Sequence, residues 1–94
     1  MVEAFLLRGR QNARSRRTLC MLTGLSDRKV RHEIEKVRVQ GVLVCVLEGG
    51  FGYYISEETS DLLSQYKQDM ARIRAISKRT KHFRKILKER GVEV

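Results

Sequence analysis

TGLSDRKVRHEIEKVRVQG, residues 23–41, reads as a turn leading into a capped basic helix. Gly24 and Leu25 make the turn tight. Ser26 is placed to accept a hydrogen bond from the backbone N–H of Arg28 or Lys29, and Asp27 puts a negative charge on the first turn, where the helix dipole favours it. Val30, Ile34 and Val37 follow at spacings of four and three, which predicts one narrow apolar stripe on the core side. Arg28, Lys29, Arg31, His32, Glu35, Lys36 and Arg38 occupy the other faces, and Gly41 suits a left-handed C-terminal cap. A helix anchored by a thin stripe and otherwise rich in guanidinium, ammonium and imidazole groups suits a groove lined with phosphates. An ordinary solvated surface helix has the same pattern, so the flanking sequence has to decide.

Upstream, Ser15 predicts the cap of another helix, with Leu19 and Leu22 facing inward and Arg14, Arg16 and Arg17 crowded at its start. Arginines there oppose the helix dipole, so phosphate contact explains them better than local stabilisation; keeping a surface soluble is the plainer alternative. Val2, Phe5 and Leu6 predict a short first helix stopped by Gly9, and Gln11 and Asn12 a connection. Downstream, VLVCVL at 42–47 predicts a strand, EGGFG at 48–52 a hairpin turn of positive-φ glycines, and Tyr53, Tyr54 and Ile55 the return strand. Two short helices joined by a glycine-containing turn give the helix-turn-helix pattern, and a β-hairpin directly after the second helix is a wing.

On these residues the segment 22–55 resembles a winged helix-turn-helix DNA-binding domain, in the pattern of the N-terminal domain of the biotin repressor and of small phage-encoded DNA-binding proteins. The likeness rests on Gly24 to Ser26, the Val30, Ile34 and Val37 stripe, Gly41, and the Gly52, Tyr53 and Ile55 return. It implies that Ser26, Asp27, Arg28, Lys29 and His32 meet base edges, that Tyr53 and Ile55 point inward, and that Tyr54 points outward. Arg14, Arg16, Arg17, Arg31, Lys36 and Arg38 are the expected phosphate contacts. Family wings often carry a basic tip, whereas this turn offers only Glu48 and Phe51, and the first helix is short for the family.

From Glu57 to Arg90 there is neither Gly nor Pro, and Ser56 can cap a helix that would run on the order of 50 Å, too long for so small a domain to cover. Leu62, Tyr66, Met70, Ile73, Ile76, Thr80, Phe83 and Leu87 fall on one face, and the alternation of three and four from Ile73 on is that of a coiled-coil seam. Tyr66, Met70, Ile73, Ile76, Phe83 and Leu87 are therefore expected to build a homodimer. The basic block 72–90 would repel its own copy, and an antiparallel pairing would offset this by bringing Glu57, Glu58 and Asp61 near it.

The 94 residues hold 20 Lys and Arg against 11 Asp and Glu, a formal charge of +9 that calls for an acidic partner. Residues 8–38 carry ten basic and three acidic side chains, 39–71 one and five, and 72–90 nine and one, so two basic blocks flank an acidic middle. No long apolar run or secretory signal is present, which predicts a cytoplasmic protein with reduced Cys20 and Cys45. Those cysteines, with His32 and His82, lack the paired spacing of a metal site, GGFG lacks the Lys of a phosphate loop, and no nucleophile motif occurs. Expected, then, is a mainly α fold with a two-stranded β wing (α+β): a winged helix-turn-helix domain over 1–56 and a long C-terminal helix over 57–90. Its expected role is that of a non-enzymatic, sequence-specific duplex DNA-binding protein, a small transcriptional or phage-type regulator needing no metal, cofactor or small-molecule ligand. The rival readings are a protein-docking adaptor of a replication or packaging assembly and an RNA binder acting through the basic C-terminal helix.

Overall fold

Leu19 on one helix and Val30, Ile34 and Val37 on the next are buried together with Val2, Leu6 and Val44. This cluster is the core of residues Met1–Leu63, the first of two compact units in the computed structural model, which describes residues 1–47 and 51–94. Helix α1 (Arg16–Thr23) starts at Ser15, whose hydroxyl accepts from the N–H of Thr18 at 3.1 Å, and ends at left-handed Gly24. Helix α2 (Asp27–Val39) starts in the same way, the Ser26 hydroxyl accepting from the N–H of Lys29 at 3.2 Å. At its end the N–H groups of Gly41 and Val42 donate to the carbonyls of Arg38 (2.9 Å) and Val37 (3.1 Å), with Gly41 at φ +98°. These paired bonds close the helix as a Schellman motif, and Val42 then packs against the core.

One face of α1 is rotated from the expected one. Leu22 is 44% exposed, because the inward side of this short helix runs through Leu19, Cys20 and Thr23. The expected first helix is shorter still, a 3-10 turn over Val2–Phe5 that delivers Val2 and Leu6 to the core, and Arg10–Asn12 form a second such turn.

Strands β1 (Val44–Val46) and β2 (Tyr53–Ile55) pair antiparallel, with Val44 opposite Ile55, Cys45 opposite Tyr54 and Val46 opposite Tyr53. β1 is shorter than the apolar run 42–47, since Val42 belongs to the cap of α2 and Leu43 is exposed. The free edge of β2 is covered by the N-terminal segment. Gly9 donates to Ile55, Ile55 to Leu7, and Arg14 and Tyr53 exchange a pair of backbone bonds at 2.8 and 3.0 Å. A short edge paired in this way presents no template to another chain. Glu48, Gly49 and Gly50 of the expected turn lie outside the described residues. Gly52 does not adopt the positive φ expected of it; a Cβ there would stand 2.9 Å from that of Ala13, so close approach of backbone is what requires glycine.

Tyr53 and Ile55 pack against the core, and Tyr54 projects from the opposite face of the sheet, but not into water. The start of helix α3 (Thr59–Glu89) covers it. The Tyr54 hydroxyl bonds the Asp61 carboxylate, the Cys45 thiol lies 3.9 Å from the Asp61 carbonyl, and the Ser56 hydroxyl donates to Asp61 Oδ2 at 2.7 Å. Tyr54 and Cys45 are consequently buried.

The second unit, Ser64–Val94, is the rest of α3 and its C-terminal cap. Gly91 at φ +77° closes the helix by a second Schellman motif, its N–H donating to Lys88 and that of Val92 to Leu87. No α3 residue is buried. The chain is thus mainly helical, with a two-stranded antiparallel sheet and a long C-terminal helix, the class its sequence predicts.

Candidate nucleic-acid interface

Asp27, on the first turn of α2, accepts from Arg31 Nε at 2.9 Å and Nη2 at 2.6 Å, and its other oxygen lies 3.2 Å from Arg16 Nε. One carboxylate therefore ties the start of α1 to the start of α2. Arg38 anchors the far end of α2 to the sheet, with Nε and Nη2 on the Val44 carbonyl at 3.2 and 3.1 Å and Nη1 on Glu35 at 2.9 Å. Arg14 donates to the Phe5 carbonyl at 2.9 Å. Of the expected phosphate contacts, Arg14 and Arg38 are thus held by backbone carbonyls. Arg16 and Arg31 are in solvent-exposed ion pairs of the kind worth roughly 0.2 to 1 kcal/mol, which an incoming phosphate can outcompete.

The rest of α2 is different. Arg28, Lys29, His32 and Lys36 are exposed, and among the described residues none of them makes an ion pair or a side-chain hydrogen bond. At about 100° per residue, Arg28, His32 and Lys36 stand on the side of α2 opposite Val30, Ile34 and Val37. The stripe faces the core, so these cations face out. Acidic neighbours are already engaged: Glu35 holds Arg38, and Glu33 lies 3.8 Å from the amino terminus. The outward face of α2 consequently keeps uncompensated positive charge. Arg17 adds another exposed cation on the first turn of α1, and Ser26 has committed its hydroxyl to capping.

No family model matches the chain, and neither does any curated protein or solved structure.

Two apolar side chains of the helices are exposed without being expected so: Met21 on α1, at 78%, and Val39 at the end of α2, at 87%. Val39 was legible as an apolar residue out of phase with the Val30, Ile34 and Val37 stripe; it lies on the same side as Arg28 and His32. Elsewhere, among the described residues, no group of three or more His, Cys, Asp or Glu is placed to hold a metal, and no helix is long and apolar enough to cross a membrane. Cys20 and Cys45 are unbridged thiols. The expected dimer residues Tyr66, Ile73, Ile76, Phe83 and Leu87 are exposed, and Met70 is half-buried.

Proposed function

We propose that residues 1–63 act as a winged helix-turn-helix module that binds duplex DNA, with α2 entering the major groove as the recognition helix. The observation that carries this reading is the outward face of α2, whose unpaired Arg28 and His32 stand opposite a buried apolar stripe, with unpaired Lys29 on its flank. Arg28, Lys29 and His32 reach base edges, and Val39 can meet a thymine methyl group. Arg17 and Lys36 hold phosphates, joined by Arg16 and Arg31 once these exchange Asp27 for the DNA backbone. Asp27, Arg14 and Arg38 shape the module, holding α1 to α2, the N-terminal segment in place and α2 to the sheet. A protein of this kind serves as a small sequence-reading regulator.

Binding to duplex DNA at about 50 and about 200 mM salt is the test, since neutralising some six phosphates makes log affinity fall with log salt at a slope of about five. Arg28→Ala should cost roughly 1 to 3 kcal/mol on the preferred sequence and relax specificity, whereas Arg17→Ala should weaken all sequences alike. Equal losses on specific and random DNA for both variants would overturn the assignment. The exposed Met21, Leu22 and Leu43 favour a second reading, docking of a protein partner, for which affinity would respond only weakly to salt.

A further inference from the structure

The second unit leaves Tyr66, Ile73, Ile76 and Phe83 in water, Ile76 at 48% and Phe83 at 65% exposure. Set in a heptad frame, the seam of α3 reads Tyr66, Asp69, Ile73, Ile76, Thr80, Phe83, Leu87, alternating spacings of three and four. Asp69 and Thr80 are its polar members. Gln65 donates to Asp69 Oδ1 at 3.1 Å, and the Thr80 hydroxyl donates to the Ser77 carbonyl at 3.0 Å.

The seam has one self-complementary register. When two copies of α3 run antiparallel with Ile73 facing Ile76 of the second copy, Tyr66 faces Phe83 and Asp69 faces Thr80. Every apolar residue of the central layers meets an apolar one, and the two polar residues meet each other, where the Thr80 hydroxyl can exchange its Ser77 carbonyl for the Asp69 carboxylate as acceptor. Sliding the pair by one heptad sets Asp69 against Ile73 in one direction and against Leu87 in the other, leaving a carboxylate facing an apolar side chain. A parallel, in-register pair sets Asp69 against Asp69 and lays the basic blocks side by side.

Charge points the same way. Arg74, Lys78, Lys81, Lys85 and Lys88 lie on the side of α3 away from the seam, so they do not face one another across it. The antiparallel arrangement also brings the basic half of each helix beside Asp69 and the acidic start of the other. Asp69 lies between Arg72 of its own helix and Arg79 of the second copy and bridges these two like charges, while Arg84 flanks the other side of the seam, beside Leu63 and Met70 of the second copy. A shallow groove beside the seam is lined by Thr80, Phe83 and Leu87 together with Ser77 and Val94.

We infer that α3 is the docking surface for a second copy of this chain, joined as an antiparallel coiled coil in the register fixed by the Asp69–Thr80 layer. The inference is independent of DNA binding, and its test contains no nucleic acid. Full-length protein should be a dimer by light scattering. Asp69→Cys and Thr80→Cys chains, each kept with the native Cys20 and Cys45, should under mild oxidant show no more covalent dimer alone than the unaltered protein does. Mixed, they should cross-link several-fold more than either alone, because only the mixed dimer brings the new thiols together. A monomer at every concentration overturns the proposal. So does cross-linking of either variant by itself, the mark of a parallel pair, or a mixture that cross-links no more than its components.

Discussion

Residues Met1–Leu63 and residues Ser64–Val94 both carry apolar side chains at helical spacing, and only the first unit buries them. In α2 the stripe of Val30, Ile34 and Val37 is covered by Leu19, Val2, Leu6 and Val44. In α3 a longer stripe runs from Tyr66 to Leu87, and none of its residues is buried. Periodicity therefore tells which face of a helix is apolar, and not whether the chain supplies its cover. Stability should accordingly reside in the first unit, since the second buries none of its helical residues.

The largest expected effect tests that division directly. Leu19→Ala removes a fully buried side chain from the point where α1, α2 and the N-terminal turn meet, and should lower unfolding stability by about 2 to 5 kcal/mol. Phe83→Ala, in protein diluted below any self-association, should change it by less than about 0.5 kcal/mol, although it deletes a larger side chain. Urea denaturation of both variants gives the answer. Comparable losses would mean that α3 is covered within its own chain and that the contrast between the units is false.

What was legible in the sequence follows the same line. Local chemistry placed the Ser15 and Ser26 caps, the α2 stripe and the Gly41 closure, because each depends on residues within one helical turn of each other. Tertiary geometry was less readable. The phase of α1 could not be read from Leu19 and Leu22 alone, since Cys20 and Thr23 define its inward side equally well by spacing. Gly52 looked like a turn glycine, and its actual constraint is Ala13, 39 residues away along the chain. For the candidate interface, residue type picked out the cations but not which of them have structural partners. Arg38 and Lys36 look alike in the sequence, and only the position of the Val44 carbonyl separates them.

Tyr54 sharpens the comparison at the point where α3 joins the first unit. Burial first, and then the hydrogen bond and negative charge of Asp61, push its phenol from 10.0 up to about 12. The folded state thus holds the Tyr54 proton more tightly than the unfolded chain. The corresponding stability is complete below pH 10, is lost as pH rises towards 12, and amounts to on the order of 2 to 3 kcal/mol. Tyr54→Phe keeps the ring in place and leaves Asp61 its bond from Ser56. Denaturant titrations across this alkaline range should show a shallower fall for the variant than for the unaltered protein. Identical slopes would place the proton linkage elsewhere.

The smallest effect separates folding from binding within α2 itself. The Ser26 hydroxyl accepts from the Lys29 N–H, so Ser26→Ala leaves one helix-end donor without its partner and should cost about 1 kcal/mol. Ser26→Gly, which exposes the same N–H to water, should cost only a few tenths of a kcal/mol. Because the hydroxyl is spent on the cap, neither change should alter DNA affinity measured well below the unfolding transition. Arg28→Ala should do the reverse, weakening DNA binding while leaving stability nearly untouched, since Arg28 is exposed and packs against no core residue. A Ser26→Ala variant that unfolds normally but loses sequence preference would show that the hydroxyl leaves the helix end to read a base, and that the start of α2 has two states where the unbound chain displays one.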